Sequence, residues 1–155
     1  MPLIKLEDTD PHSCWGLWEI AENWQELLTQ LDTHDQDLSF LRGISHLEKK
    51  KESLATRLVV KKILHHWGLS YEGIVKDACA KPSLAHSDFH ISMSHAQGYG
   101  IAIVHRHKSI GIDIEYPRTK LLKIAPKFLS SSELQFAGRD LERLTICWVA
   151  KESIL

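Results

Sequence analysis

The residues best suited to chemistry sit in Gly111-Ile112-Asp113-Ile114-Glu115. Side chains alternate along an extended strand, so Asp113 and Glu115 are expected on one face, with Ile112 and Ile114 turned the other way into a core. Two carboxylates converging at the rim of a sheet offer hard oxygen ligands, which suit magnesium bound beside a phosphate. The same pattern describes a solvated edge strand, and the triplet alone does not choose between the two. Glu152 follows Lys151 in a helical pattern and adds a third carboxylate, although neighbouring Lys and Glu are also an ordinary feature of helix surfaces.

Other candidates are cationic or titratable. In Ile91-Ser92-Met93-Ser94-His95 a histidine ends an apolar run and enters a loop containing Gly98. There it can donate to a phosphate or act as acid or base, or it can simply meet water. Lys81 stands beside the rigid Pro82 in a loop, a plausible point-charge contact for phosphate and equally an ordinary turn. His105 and His107 form an HxH without a third ligand at a recognisable spacing, which argues against a metal role. Arg118, Lys120, Lys123 and Lys127 occur with no acid among them, either as a solvated helix face or as a docking surface for an acidic partner.

The elements that must position these groups are legible in part. Cys14 to Ile20 reads as a strand entering the core, and Trp24, Leu27, Leu28 and Leu31 have helical spacing. From about Glu48 to Trp67, Leu54, Leu58, Leu64 and Trp67 mark an apolar stripe that Gly68 ends, with Lys50, Arg57 and Lys61 on the polar side. Extended runs at Ile74–Ala78, Phe89–Ser94, Tyr99–His105 and Ser109–Glu115 suggest an antiparallel meander. Helical patterns return through Leu121, Leu122, Ile124 and Ala125, and again from Leu141 to Leu155. The order β-α-α-β-β-β-β-α-α implies an α+β fold of two lobes, residues 1–107 and 108–155, joined near Lys108 to Gly111.

With 155 residues, 43% of them hydrophobic, the chain can bury a real core. Its net charge of −1 offers no global attraction to nucleic acid or to an anionic membrane. Cys14, Cys79 and Cys147 are odd in number, far apart and in no CxxC pair, which argues against both a disulfide framework and a cysteine zinc site; a reducing cytoplasm fits best. Neither a signal peptide nor a membrane-spanning stretch is recognised.

Taken together, Lys81-Pro82, Ser94-His95, Gly111-Ile112-Asp113-Ile114-Glu115, Phe128-Leu129-Ser130-Ser131-Ser132-Glu133 and Trp148-Val149-Ala150-Lys151-Glu152-Ser153 resemble, in order and approximate spacing, the 4′-phosphopantetheinyl transferases. The resemblance spans roughly Glu48 to Leu155, and Leu54-Ala55-Thr56-Arg57-Leu58 is similar to the family's long amino-terminal helix. Motifs lying before Gly111 point to the longer, surfactin-synthetase-activator-like type, in which one chain holds two pseudosymmetric lobes of antiparallel sheet plus helix.

The resemblance implies transfer of 4′-phosphopantetheine from coenzyme A to a serine of an acidic apo carrier protein, as in fatty acid, polyketide and nonribosomal peptide biosynthesis. It implies that Asp113, Glu115 and Glu152 hold magnesium against the pyrophosphate and that Glu152 helps deprotonate the serine. Lys151 would neutralise a phosphate, while Lys81, His95 and Arg57 would contact the nucleotide phosphates. Glu133 matches a family motif. Ala80 stands where the family has glycine, a mild change if its φ is negative. The chain is expected to lack the end of the second lobe, leaving Leu144, Trp148 and Ile154 or Leu155 to be covered. A non-catalytic coenzyme A or carrier-binding remnant and a metal-dependent phosphohydrolase are the alternatives.

Overall fold

In a computed structural model, residues 3–32 and 35–154 are described, residues 35 and 36 by their backbone alone. In chain order the elements are β1 (Leu3–Asp10), β2 (Ser13–Glu19), α1 (Trp24–Leu31), α2 (Asp35–Arg42), α3 (Leu47–His66), β3 (Ile74–Lys76), β4 (Pro82–Leu84), β5 (His90–Ala96), β6 (Tyr99–His105), α4 (Lys120–Phe128), α5 (Ser131–Ala137) and α6 (Leu141–Glu152). The architecture is α+β. Strands β1, β2, β6 and β5 form one antiparallel sheet in that spatial order, and β3 pairs with β4 in a separate two-stranded ribbon.

The order is not the expected meander, because β6 pairs back onto β2 as well as with β5. Burial explains the choice. Every residue of β6 after Tyr99 is buried, and β2 buries Cys14, Gly16 and Trp18, so these two apolar strands take the centre. The half-polar β1 and β5 take the edges. β1, rich in charge, carried no strand signal of its own and forms by pairing with β2.

Helix α3 lies across β2 and β6. It ends where Gly68 takes φ +73 and Leu69 N–H reaches back to the Leu64 carbonyl, a stop that a left-handed glycine permits. Residues 54 to 60 are all buried, because the sheet covers one side and α1 another. Arg57 therefore does not share an exposed polar side with Lys50 and Lys61. It is 1% exposed, and its Nε donates to Asp37 Oδ1 at 2.9 Å. Asp37 also receives Tyr71 Oη at 2.7 Å and the Ile74 N–H at 3.2 Å, so a buried charge pair locks α2 and β3 onto α3. Lys61 instead caps α1, donating to the carbonyls of Gln30 and Leu31.

A second core, separate among the described residues, is built by α4, α5 and α6 from Leu121, Ala125, Leu129, Ala137 and Leu144. Trp148 is half-buried at its margin and meets Phe128 edge-on at 5.0 Å. Ile154 is 82% exposed, and Leu155 lies outside the described residues. Among the described residues no helix is long and apolar enough to cross a membrane.

Residues 109–118 link the two cores without regular secondary structure, so the expected strand over Ser109–Glu115 does not form a ladder. Ile112 and Ile114 are only half-buried and join neither core. Side chains of the neighbouring strand replace the missing ladder, as the site geometry makes plain.

Candidate functional site

Alternation along β5 decides what its side chains can reach. Ile91 and Met93 pack toward α3, and His95 follows them, pairing through Nδ1 with Glu52 of α3 at 2.8 Å. Ser92 and Ser94 point the other way. Ser92 Oγ accepts the Ile112 N–H at 3.1 Å, and Ser94 Oγ donates to Asp113 Oδ1 at 2.5 Å. Tyr116 adds a bond from its hydroxyl to the Gln97 carbonyl at 2.7 Å. Two serines and a tyrosine thus hold the 109–118 segment along the β5 edge. The adjacent Ser94 and His95, quoted as one motif, act on opposite faces of the sheet.

The other side of this segment meets α6. A side chain at Gly111 would place its Cβ 1.5 Å from the Ser153 carbonyl oxygen, so only glycine lets the end of α6 approach this closely. Asp113 and Glu115 then line one cleft of about 560 Å³ with Glu142 and with Ile114, Pro117, Thr145, Ile146, Val149 and Ala150. Glu115 lies 3.8 Å from the Arg118 guanidinium across an exposed contact that is worth little by itself.

Around the corner, a cavity of about 680 Å³ is lined by Cys79, Ala80, Lys81, Pro82, Ile91, Ser92, Met93, Ser109, Gly111 and Ser153, among others. Its size suits a small-molecule ligand. Lys81 is exposed here, and Asp77 fixes its loop by accepting the N–H groups of Cys79 and Lys81. Ala80 sits at φ +61, not at the negative φ expected for a mild glycine replacement, so the loop holds an alanine in a region that favours glycine.

Lys151 and Glu152 close α6. Lys151 Nζ is 3.1 Å from Glu133 Oε2, and Glu133 in turn completes a capping box with Ser130 at the start of α5. The Ser130 backbone N–H, aided by Lys151, holds the Glu133 carboxyl below the usual carboxylate range. Glu152 is exposed. Among the described residues Asp113, Glu115 and Glu152 do not bring three carboxylate oxygens within 4.8 Å of one another. Arg57 stands apart from all of these, sealed in its pair with Asp37, so a direct contact with a nucleotide phosphate is not open to it.

His105 accepts the N–H groups of His107 and Lys108 at Nδ1, both at 3.0 Å, and so closes a turn instead of joining a metal pair. Arg118, Lys120, Lys123 and Lys127 are all exposed around α4. Sequence reasoning gave Ser92, Ser94, Glu52 and Ser153 no separate roles. The alternation of Ser92 with Ser94 on a predicted strand was the available signal, whereas the Glu52 and Ser153 contacts are long-range. Compared with known proteins, the chain matches no family model, and no curated protein is similar enough to it to count as a match.

Proposed function

We propose that the chain is a 4′-phosphopantetheinyl transferase of the two-lobe, surfactin-synthetase-activator-like type, acting in the cytoplasm on an apo carrier protein. One observation carries the reading: segments far apart in sequence meet at the seam between the two cores. Lys81-Pro82, the β5 edge, Gly111 and Ser153 line one cavity, and Glu133 of the FLSSSE segment grips Lys151 beside it.

In the proposed reaction the serine Oγ of the carrier bonds to the β-phosphorus of coenzyme A while the bond from that phosphorus to the bridging oxygen breaks. The electron pair leaves with adenosine 3′,5′-bisphosphate, and the serine proton passes to Glu152, the candidate base. Lys81 supplies a point charge to the nucleotide phosphates at the cavity wall, whereas His95, turned to the other face and paired with Glu52, would have to leave that pair to reach a phosphate. Lys151 exchanges Glu133 for a phosphate oxygen.

The donor set fits magnesium, which is usually held by one or two carboxylates together with phosphate and water. Asp113 and Glu115 share a cleft and are the candidate ligands, with Glu152 as a third. Bound there, the ion would offset the charge of the pyrophosphate. The exposed Arg118, Lys120, Lys123 and Lys127 offer a cationic surface to an acidic carrier, which speeds encounter more than it adds affinity.

The scattered carboxylates favour a second reading, a coenzyme A or carrier-binding protein without transfer activity. Incubation with coenzyme A, magnesium and an apo acyl carrier protein, followed by weighing the carrier in a mass spectrometer, decides between them. Gain of one phosphopantetheine per carrier supports transfer. An unchanged carrier with intact coenzyme A supports binding alone, and coenzyme A cleaved without carrier modification points to a phosphohydrolase.

A further inference from the structure

Away from the seam, three side chains from different elements meet toward the opposite, β1 edge of the sheet. Asp8 on β1 is directly opposite Cys14 on β2, so their side chains share the face that packs on α3. The last residue of α3, His66, reaches the same point, with Nε2 2.8 Å from Asp8 Oδ2. The Asp8 oxygen, the Cys14 sulfur and the His66 nitrogen all lie within 4.8 Å of one another, the only such group of metal-ligating side chains among the described residues. Trp67 Nε1 donates to the other Asp8 oxygen at 3.3 Å and so aims Oδ2 at the cluster, the outer-shell support that metal-binding carboxylates commonly have.

We propose that Asp8, Cys14 and His66 form a zinc site that pins the β1–β2 hairpin to the end of α3, with water as the fourth ligand. A thiolate, an imidazole and a carboxylate suit zinc better than the hard cations that the Asp113 cleft would take. Tetrahedral zinc at ordinary bond lengths sets these ligand atoms about 3.4–3.6 Å apart. The Asp8 to His66 gap of 2.8 Å must widen slightly, and the gaps to Cys14, each within 4.8 Å, must close by at most about 1.3 Å to reach that spacing. The Cys14 side chain lies inside the core, while Asp8 and His66 are 47% and 44% exposed and leave an entry path for the ion and its water. Binding exchanges the proton of the Cys14 thiol for the metal and releases it to solvent. No cysteine pair announces the site, since its ligands come from three elements and include a single thiol.

The test uses the full chain with Cys79→Ser and Cys147→Ser, which leaves Cys14 as the sole thiol. Cobalt(II) added to this protein should give the visible bands of tetrahedral cobalt and a near-ultraviolet thiolate-to-cobalt band, and one equivalent of zinc should abolish both. His66→Ala and Asp8→Ala should each weaken zinc binding by more than the ~10–100-fold typical of losing an outer-shell partner, measured by chelator competition. A cobalt complex without the thiolate band overturns the proposal, as does zinc binding unchanged in both variants or no binding at micromolar zinc. Because the thiolate band is read on a protein that keeps all three ligands, misfolding of a ligand variant does not blunt the test.

Discussion

The two cores of this molecule are built to different standards. Around the sheet, α3 is buried on every side from residue 54 to residue 60, and even its one arginine in that stretch is sealed in an ion pair. In the helical half, α6 buries Leu144 and Thr145 but leaves Ile146 65% exposed, and that residue lines the cleft with Asp113 and Glu115. The contrast separates a deeply buried frame from a more exposed helical half. The β5 edge presents Ser92 and Ser94 and the loop before β4 presents Lys81, whereas Lys151 and Glu152 arrive on a helix whose end meets Gly111 and is latched through Glu133.

The largest effect expected from this contrast is on the frame. Asp37→Ala leaves the Arg57 guanidinium buried without its carboxylate and should cost about 3–5 kcal/mol in denaturant unfolding. A loss below 1 kcal/mol would mean that the pair does not lock α2 and β3 to α3. The seam comes next. Gly111→Ala forces the linking segment and the end of α6 apart, and if the proposed transfer takes place at this seam, a displacement of its candidate groups by about 1 Å should reduce it ~10²-fold. Stability should fall far less than in the Asp37 variant; equal losses in both would erase the distinction between frame and seam.

Much of the frame was written in the sequence. The period of Leu54, Leu58 and Leu64, the stop at Gly68 and the run Tyr99–His105 lie where local pattern and burial agree. Arg57 was misread because burial by α2 and Tyr71 is a tertiary event that no periodicity announces. The seam was legible as chemistry and not as geometry. Gly111, Asp113 and Glu115 carry a readable motif, yet the segment forms no ladder because Ser92 and Ser94 take its polar groups instead. Whether Glu152 reaches the other acids depends on how two cores pack, which alternation along one strand does not encode.

Two smaller effects sharpen the same contrast. Ala80→Gly relieves a left-handed alanine and should stabilise the frame by about 0.5–1 kcal/mol, the gain in conformational strain being partly offset by a more disordered unfolded chain. No change in the denaturation midpoint would show that the loop relaxes φ by another route. The latch should be visible in acid. Glu133 has a folded pKa below its unfolded value, so its contribution is complete above the unfolded carboxyl range, near pH ~4.3, and is lost as pH falls through the folded value. Glu133→Gln should remove that contribution at neutral pH, leave stability below the folded value nearly unchanged, and so flatten the acid limb while freeing Lys151. An unaltered acid limb would remove the latch from the account.

The most direct test of the central claim, that the seam is one coenzyme A site, is hydrogen exchange by mass spectrometry with and without magnesium and coenzyme A. The account predicts slower exchange together in residues 79–82, 91–95, 109–115 and 150–154, with α3 unchanged. Protection confined to another surface, such as the pocket lined by Leu64, Leu69, His86 and Phe89, or no protection at saturating ligand, would contradict it.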